Sequence, residues 1–131
     1  FIPSKNMRKN MDLYHYYQKL FSTRYVLSTE NLLKIHCMKG IYELLGEEPI
    51  KYALIQLGVL YIGSSKNIKA RLSKYINGYG HTKALQNYIA SHNVYFRYFQ
   101  TPNYKELEKI FLNEFKNISG SLPLLNKQNI L

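Results

Sequence analysis

Tryptophan is absent from this 131-residue chain, cysteine occurs once, at Cys37, and aspartate once, at Asp12. A single cysteine excludes a disulfide framework and any Cys-rich zinc site, and it suggests a reducing compartment. A single aspartate excludes two-metal centres built on clustered Asp ligands. No Gly-rich Walker loop and no GxSxG elbow occurs, which removes two common phosphate and acyl chemistries. No apolar run approaches the ~18–20 residues that cross a bilayer, and no leader peptide is visible. A membrane partner is therefore not expected. The chain opens on Phe1 rather than Met, as a fragment, a processed product or a frame continuous with upstream sequence would.

The most informative scarcity is of negative charge. The chain carries 18 Lys/Arg against 8 Asp/Glu, a net charge of +10. Residues 1–48 hold seven cations and five acids, and residues 106–131 hold three of each. Between them, residues 49–105 contain Lys51, Lys66, Lys69, Arg71, Lys74, Lys83, Arg97 and Lys105 and no acid at all. A neutral scaffold interleaves both signs, whereas a polyanion rewards cations through counterion release and repels acids. A nucleic acid is the expected partner. Any acid that chemistry requires must come from outside this stretch, with Glu106 and Glu108 the first downstream.

What is present fills a core: 46% of residues are hydrophobic and 15% aromatic. Residues 11–20 and 29–45 read as helices, the second behind a Ser28/Thr29 cap, and Glu47-Glu48-Pro49 then breaks the pattern. This places a helical N-terminal extension at 1–48 and a core module at 49–131. Tyr52–Ile62 reads as a hairpin turning near Gln56–Gly58. Helices follow at about 67–77, capped by Ser65 or Asn67, and at Thr82–Ser91. Val94–Phe99 is a third strand, and a last helix covers about 104–117. The expected class is α+β, with a small three-stranded antiparallel sheet flanked by helices.

Several residues sit where chemistry could use them. On the helix at 67–77, Ile68, Leu72, Tyr75 and Ile76 form the apolar arc, Arg71 lies on its border and Lys74 points away. A border Arg either clamps a phosphate with its planar donor fork or snorkels over the core edge. Glu108 falls inside the apolar arc of the last helix, where an ionised carboxylate needs a metal, a cation or a salt bridge. Glu114 lies near that arc, and Glu106 faces solvent. His81, just before a helix, is kept neutral by the helix dipole and available as a base, or is an ordinary loop residue. Tyr52 and Tyr61 lie on the two hairpin strands, where Arg71 and Lys51 would lower a phenol pKa.

Together these residues resemble the GIY-YIG nuclease family. The strongest match is GVLYIGSSKNIKARL at residues 58–72, with Tyr61-Ile62-Gly63 and Arg71 ten positions after the tyrosine. His81 is similar to the histidine of homing members. ELEKIFLNEF at 106–115 looks like the family helix and places its glutamate at Glu108. Pro123-Leu124-Leu125-Asn126 is similar to the closing Pro-x-x-Asn, with Asn126 its asparagine. The likeness covers residues 50–127, about 60% of the chain.

The GIY tripeptide should open the first hairpin strand. Ile50-Lys51-Tyr52 keeps only its tyrosine, while a literal Gly40-Ile41-Tyr42 lies nineteen residues before Tyr61 in a stretch that reads as helix. Cross-strand geometry favours Tyr52, with Tyr42 the alternative.

The resemblance implies hydrolysis of a DNA phosphodiester with Mg²⁺ or Mn²⁺ as the only cofactor, the ion held by Glu108. Tyr52, with His81, would deprotonate or orient the attacking water. Arg71 would neutralise the phosphate, Tyr61 would hydrogen-bond near it, and Asn126 would brace the site. Lys66, Lys69, Lys74, Lys83 and Arg97 are the expected DNA contacts. The composition, rich in Lys, Asn, Ile and Tyr, suits an AT-rich mobile-intron or mitochondrial gene. A binding module that keeps the fold without cleaving is the second reading, and a structural protein with a Lys-biased composition the third.

Overall fold

The computed structural model describes residues 16, 18–79 and 82–126. Its elements are β1 (Tyr25–Val26), α1 (Thr29–Leu32), β2 (Gly40–Lys51), β3 (Gln56–Ser65), α2 (Ile68–Ile76), α3 (Lys83–Ser91), β4 (Val94–Gln100) and α4 (Tyr104–Ser119). The strands form one antiparallel sheet in the order β1-β4-β2-β3. The class is α+β as expected, but the sheet has four strands where three were expected, because β2 and β1 come from the region read as helical. The helix expected at 11–20 lies largely outside the described residues.

The stretch 29–45 is helical only over Thr29–Leu32, where the Ser28 side chain accepts from Asn31 N. From Gly40 onward it is the central strand. Gly40 to Gly46 are all buried, since β2 has β4 on one side, β3 on the other and helices on both faces. A strand buried on both faces shows a continuous apolar run, which periodicity cannot separate from a buried helix.

Glu47, Glu48 and Pro49 do not end this element. They protrude from an irregular stretch between Leu45, paired with Val59, and Ile50, paired with Leu57, a setting that suits a proline. The strand therefore runs through the expected boundary at 48/49. The hairpin turn is also displaced: it spans Tyr52–Ile55, with Tyr52 N bonded to Ile55 O at 2.9 Å, and Gln56–Gly58 belong to β3.

The sheet separates two cores. On one face Ile68, Leu72 and Tyr75 of α2 and Leu85 of α3 pack against Tyr42, Leu44, Tyr61, Val94 and Phe96. On the other, Phe111, Phe115 and Ile118 of α4 cover Ile41, Leu45, Val59 and Ile62. Burying each such side chain contributes about 1.5–3 kcal/mol. A bulge at Leu60, where Tyr61 pairs with Leu44 but Val59 with Leu45, turns Leu60 and Tyr61 to the same face. It thereby sets which face the Tyr61-Ile62-Gly63 tripeptide presents. Gly120, at φ 93°, ends α4 in the left-handed conformation. Among the described residues no helix is long and apolar enough to cross a membrane.

Candidate active site

Two glycines permit close approaches at the centre of the molecule, one of backbone and one of a phenol. A Cβ at Gly40 would stand 2.2 Å from the carbonyl oxygen of Phe99, so only glycine lets β2 and β4 approach here. Two residues on, Tyr42 pairs across the ladder with Gly63. Its ring covers that glycine so closely that a Cβ there would lie 2.5 Å from Tyr42 Cζ and Oη. The Tyr42 ring centroid is 6.2 Å from that of Tyr61 and 6.0 Å from that of Tyr75, and Tyr61 meets Tyr75 edge-on at 6.5 Å.

The Tyr42 and Tyr75 hydroxyls share a hydrogen bond of 2.5 Å. Arg71 sits one helical turn before Tyr75, and its guanidinium lies close enough to both phenols to interact with them electrostatically. Burial drives the Tyr42 phenol well above its ordinary pKa, with Arg71 opposing, and burial raises Tyr75 in the same way. Desolvation outweighs the cation, so near neutral pH these phenols are protonated hydrogen-bond donors.

Across the sheet, Ser64 pairs with Ile41 and so faces α4. Its hydroxyl donates to Glu108 Oε1 at 3.0 Å. Burial raises the Glu108 pKa, while the Ser64 hydrogen bond and the charge of Arg71 pull it back. Because β3 is an edge strand, Arg71 from one helical layer and Glu108 from the other reach round its end into one cleft of about 630 Å³. Lys66, Lys74, Lys105 and Lys109 also line it.

Among the described residues no three His, Cys, Asp or Glu side chains cluster as metal ligands. A lone half-buried carboxylate in a basic cleft suits Mg²⁺ or Mn²⁺, which keep water and substrate oxygens as their other ligands. It does not fit a closed zinc site.

The expected residues divide. Arg71 and Glu108 line the cleft, whereas Tyr61 is buried beside Tyr42 and Tyr75 and does not line it. Asn126 does not line the cleft: its Oδ1 accepts from Ile62 N and its Nδ2 donates to Ile62 O, both at 2.9 Å, clamping the C-terminal segment to the edge of β3. Tyr52 does not belong. It lies on the α4 face, edge-on to Phe115 at 5.0 Å, and its hydroxyl donates to Val59 O and accepts from Leu124 N. Burial raises its pKa too. The tyrosine that faces Tyr61 is Tyr42.

His81 lies outside the described residues. Lys66 and Lys74 line the cleft, whereas Lys69 and the exposed Lys83 do not. Arg97 is committed elsewhere: its guanidinium pairs with Glu43, which is 1% exposed, and lies over the Phe21 ring. Glu114 is buried without lining the cleft.

Sequence reasoning ranked Tyr42 behind Tyr52 and gave no site role to Tyr75, Ser64, Lys105 or Lys109. The literal Gly40-Ile41-Tyr42 was the available signal for the first, and spacing of four from Arg71 on a helix for the second. Nothing in the sequence marks Ser64, because its partner comes from the opposite layer. No family model, no curated protein and no solved structure matches the chain. Function is therefore read from the cleft itself.

Proposed function

We propose that this chain is a metal-dependent endonuclease that hydrolyses DNA phosphodiester bonds, of GIY-YIG type. One observation carries the reading. A guanidinium and a carboxylate from opposite helical layers meet in a cleft lined by four lysines, with a wall of hydrogen-bonded phenols behind Arg71.

Arg71 receives the scissile phosphate, its fork held in place by Tyr42 and Tyr75, and neutralises charge that builds on the phosphoryl oxygens. Lys66, Lys74, Lys105 and Lys109 draw the DNA backbone into the cleft and hold it there. Ser64 fixes the orientation of the Glu108 carboxylate. Glu108 is the residue that would hold Mg²⁺ or Mn²⁺, which when bound supplies a Lewis acid beside the phosphate. The Tyr42 and Tyr75 phenols are fully buried and do not line the cleft, so they act by positioning Arg71 rather than by touching water or phosphate. Composition favours a homing or mobile-intron setting in an AT-rich genome, such as a mitochondrial one.

The test is nicking of supercoiled plasmid by the purified chain with Mg²⁺ and with chelator, beside Glu108→Ala. Metal-dependent nicking that vanishes in the variant supports the reading. DNA binding with no nicking in either protein overturns it in favour of a binding module. Nicking that survives the substitution removes Glu108 from the chemistry.

A further inference from the structure

The catalytic cleft does not end at Lys66. A second groove, of about 390 Å³, opens beside it, and the two share Lys66 and Asn67 at the turn from β3 into α2. Its far walls are Cys37–Lys39, before β2, and Gln100–Pro102, at the end of β4. These segments meet because Gly40 pairs with Ser65 on one side and Gln100 on the other. Backbone bonds fix the floor: Thr101 N donates to Lys39 O at 3.0 Å and Ile68 N to Met38 O at 2.9 Å. The groove is thus a built part of the sheet's end.

Positive charge predominates along both grooves. Lys39 and Lys66 extend the row formed by Arg71, Lys74, Lys105 and Lys109, and Glu108 is the sole acid among the described lining residues. Lys39 is exposed and Thr101 is buried.

We propose that the second groove carries the DNA strand on one side of the scissile phosphate. The strand passes Lys66 at the junction, and the Lys39 ammonium contacts a backbone phosphate beyond it. The inference rests on the DNA-cleaving reading and adds to it a direction across the end of the sheet, from α4 towards the end of β4. The cations here are lysines, compact point charges suited to backbone phosphates. Through these lysines the groove contributes affinity and register on DNA of any sequence.

The experiment uses the full chain in chelator, so that binding is measured without cleavage. The affinity for a short fluorescent DNA duplex of arbitrary sequence is followed across a salt series for wild type, Lys39→Ala and Lys51→Ala. Lys51 is an exposed cation at the opposite end of β2 from Gly40, and serves as the control. In parallel, the rate at which maleimide alkylates Cys37, the sole cysteine and exposed in the groove wall, is measured with and without duplex.

Loss of one phosphate contact makes the plot of log affinity against log salt shallower by about 0.9. That change is expected for Lys39→Ala, not for Lys51→Ala, together with slower alkylation of Cys37 in the complex. Salt-dependent binding in which Lys39→Ala keeps the wild-type slope and Cys37 reacts at its free rate overturns the strand path and leaves the cleavage reading standing. Absence of salt-dependent DNA binding by the wild type overturns both.

Discussion

Gly63→Ala tests the placement of Tyr42 directly. The added Cβ would lie 2.5 Å from Tyr42 Cζ and Oη, about 1 Å inside ordinary carbon contact. The ring cannot yield easily, because Tyr42 is fully buried and its hydroxyl is held by Tyr75 at 2.5 Å. Overpacking of this kind costs about 1–3 kcal/mol, and a buried hydroxyl pulled from its partner costs about 1–3 kcal/mol more. Replacing glycine returns only about 0.4–1 kcal/mol through the unfolded chain.

A net loss of roughly 2–4 kcal/mol is expected for Gly63→Ala, read as a lower denaturant midpoint at unchanged m-value. Gly46→Ala is the internal control, since its Cβ would meet Tyr88 Oη at an ordinary 3.5 Å; it should stay within about 1 kcal/mol of wild type. If the Tyr42 ring is the obstacle, the effect of Gly63→Ala shrinks in a Tyr42→Ala background, with a coupling energy above roughly 1 kcal/mol. Wild-type stability of Gly63→Ala, or simple additivity with Tyr42→Ala, would refute the placement. In that case Tyr42 would not be the partner of Tyr61.

Three further outcomes separate structural from catalytic roles. Tyr52→Phe leaves Val59 O and Leu124 N without their partner and should cost about 1–3 kcal/mol while plasmid nicking by the folded protein is retained; abolished nicking at wild-type stability would return Tyr52 to the site. Arg97→Met strands the buried Glu43 carboxylate and should cost about 3–5 kcal/mol with no change in the salt slope of DNA binding; a weaker slope would make Arg97 a phosphate contact after all. Because burial holds the Glu108 pKa above its unfolded value, its ionisation destabilises the fold. The carboxyl carries no such penalty below the unfolded pKa, and stability is lost as pH rises through the folded pKa. Glu108→Gln should therefore match wild type in acid and exceed it near neutral pH in chelator, and equal stability at both pH values would contradict the burial of that carboxylate.

The amino-acid sequence by itself determined those parts whose signals are local. Asn67 and Thr82 cap α2 and α3 because a side-chain oxygen three residues before a free amide suffices. The stripe of Phe111, Phe115 and Ile118 made α4 legible to within two residues of its end at Ser119, and the clash of Glu108 with that stripe marked it as a carboxylate that needed a reason to be there. The spacing from Tyr61 to Arg71 was fixed by a strand, a short turn and one helical turn.

Tertiary structure decided the rest, for two physical reasons. Gly40–Gly46 is a strand only because β3 and β4 flank it and helices cover both faces; its apolar run, with Glu43 neutralised by Arg97 from the neighbouring strand, carries no period-2 mark. The cleft exists because β3 is an edge strand, so that side chains from two helical layers can meet around it. Neither Ser64 nor Lys109 announces itself in the chain, since each acquires a role only when that edge brings Glu108 beside Arg71.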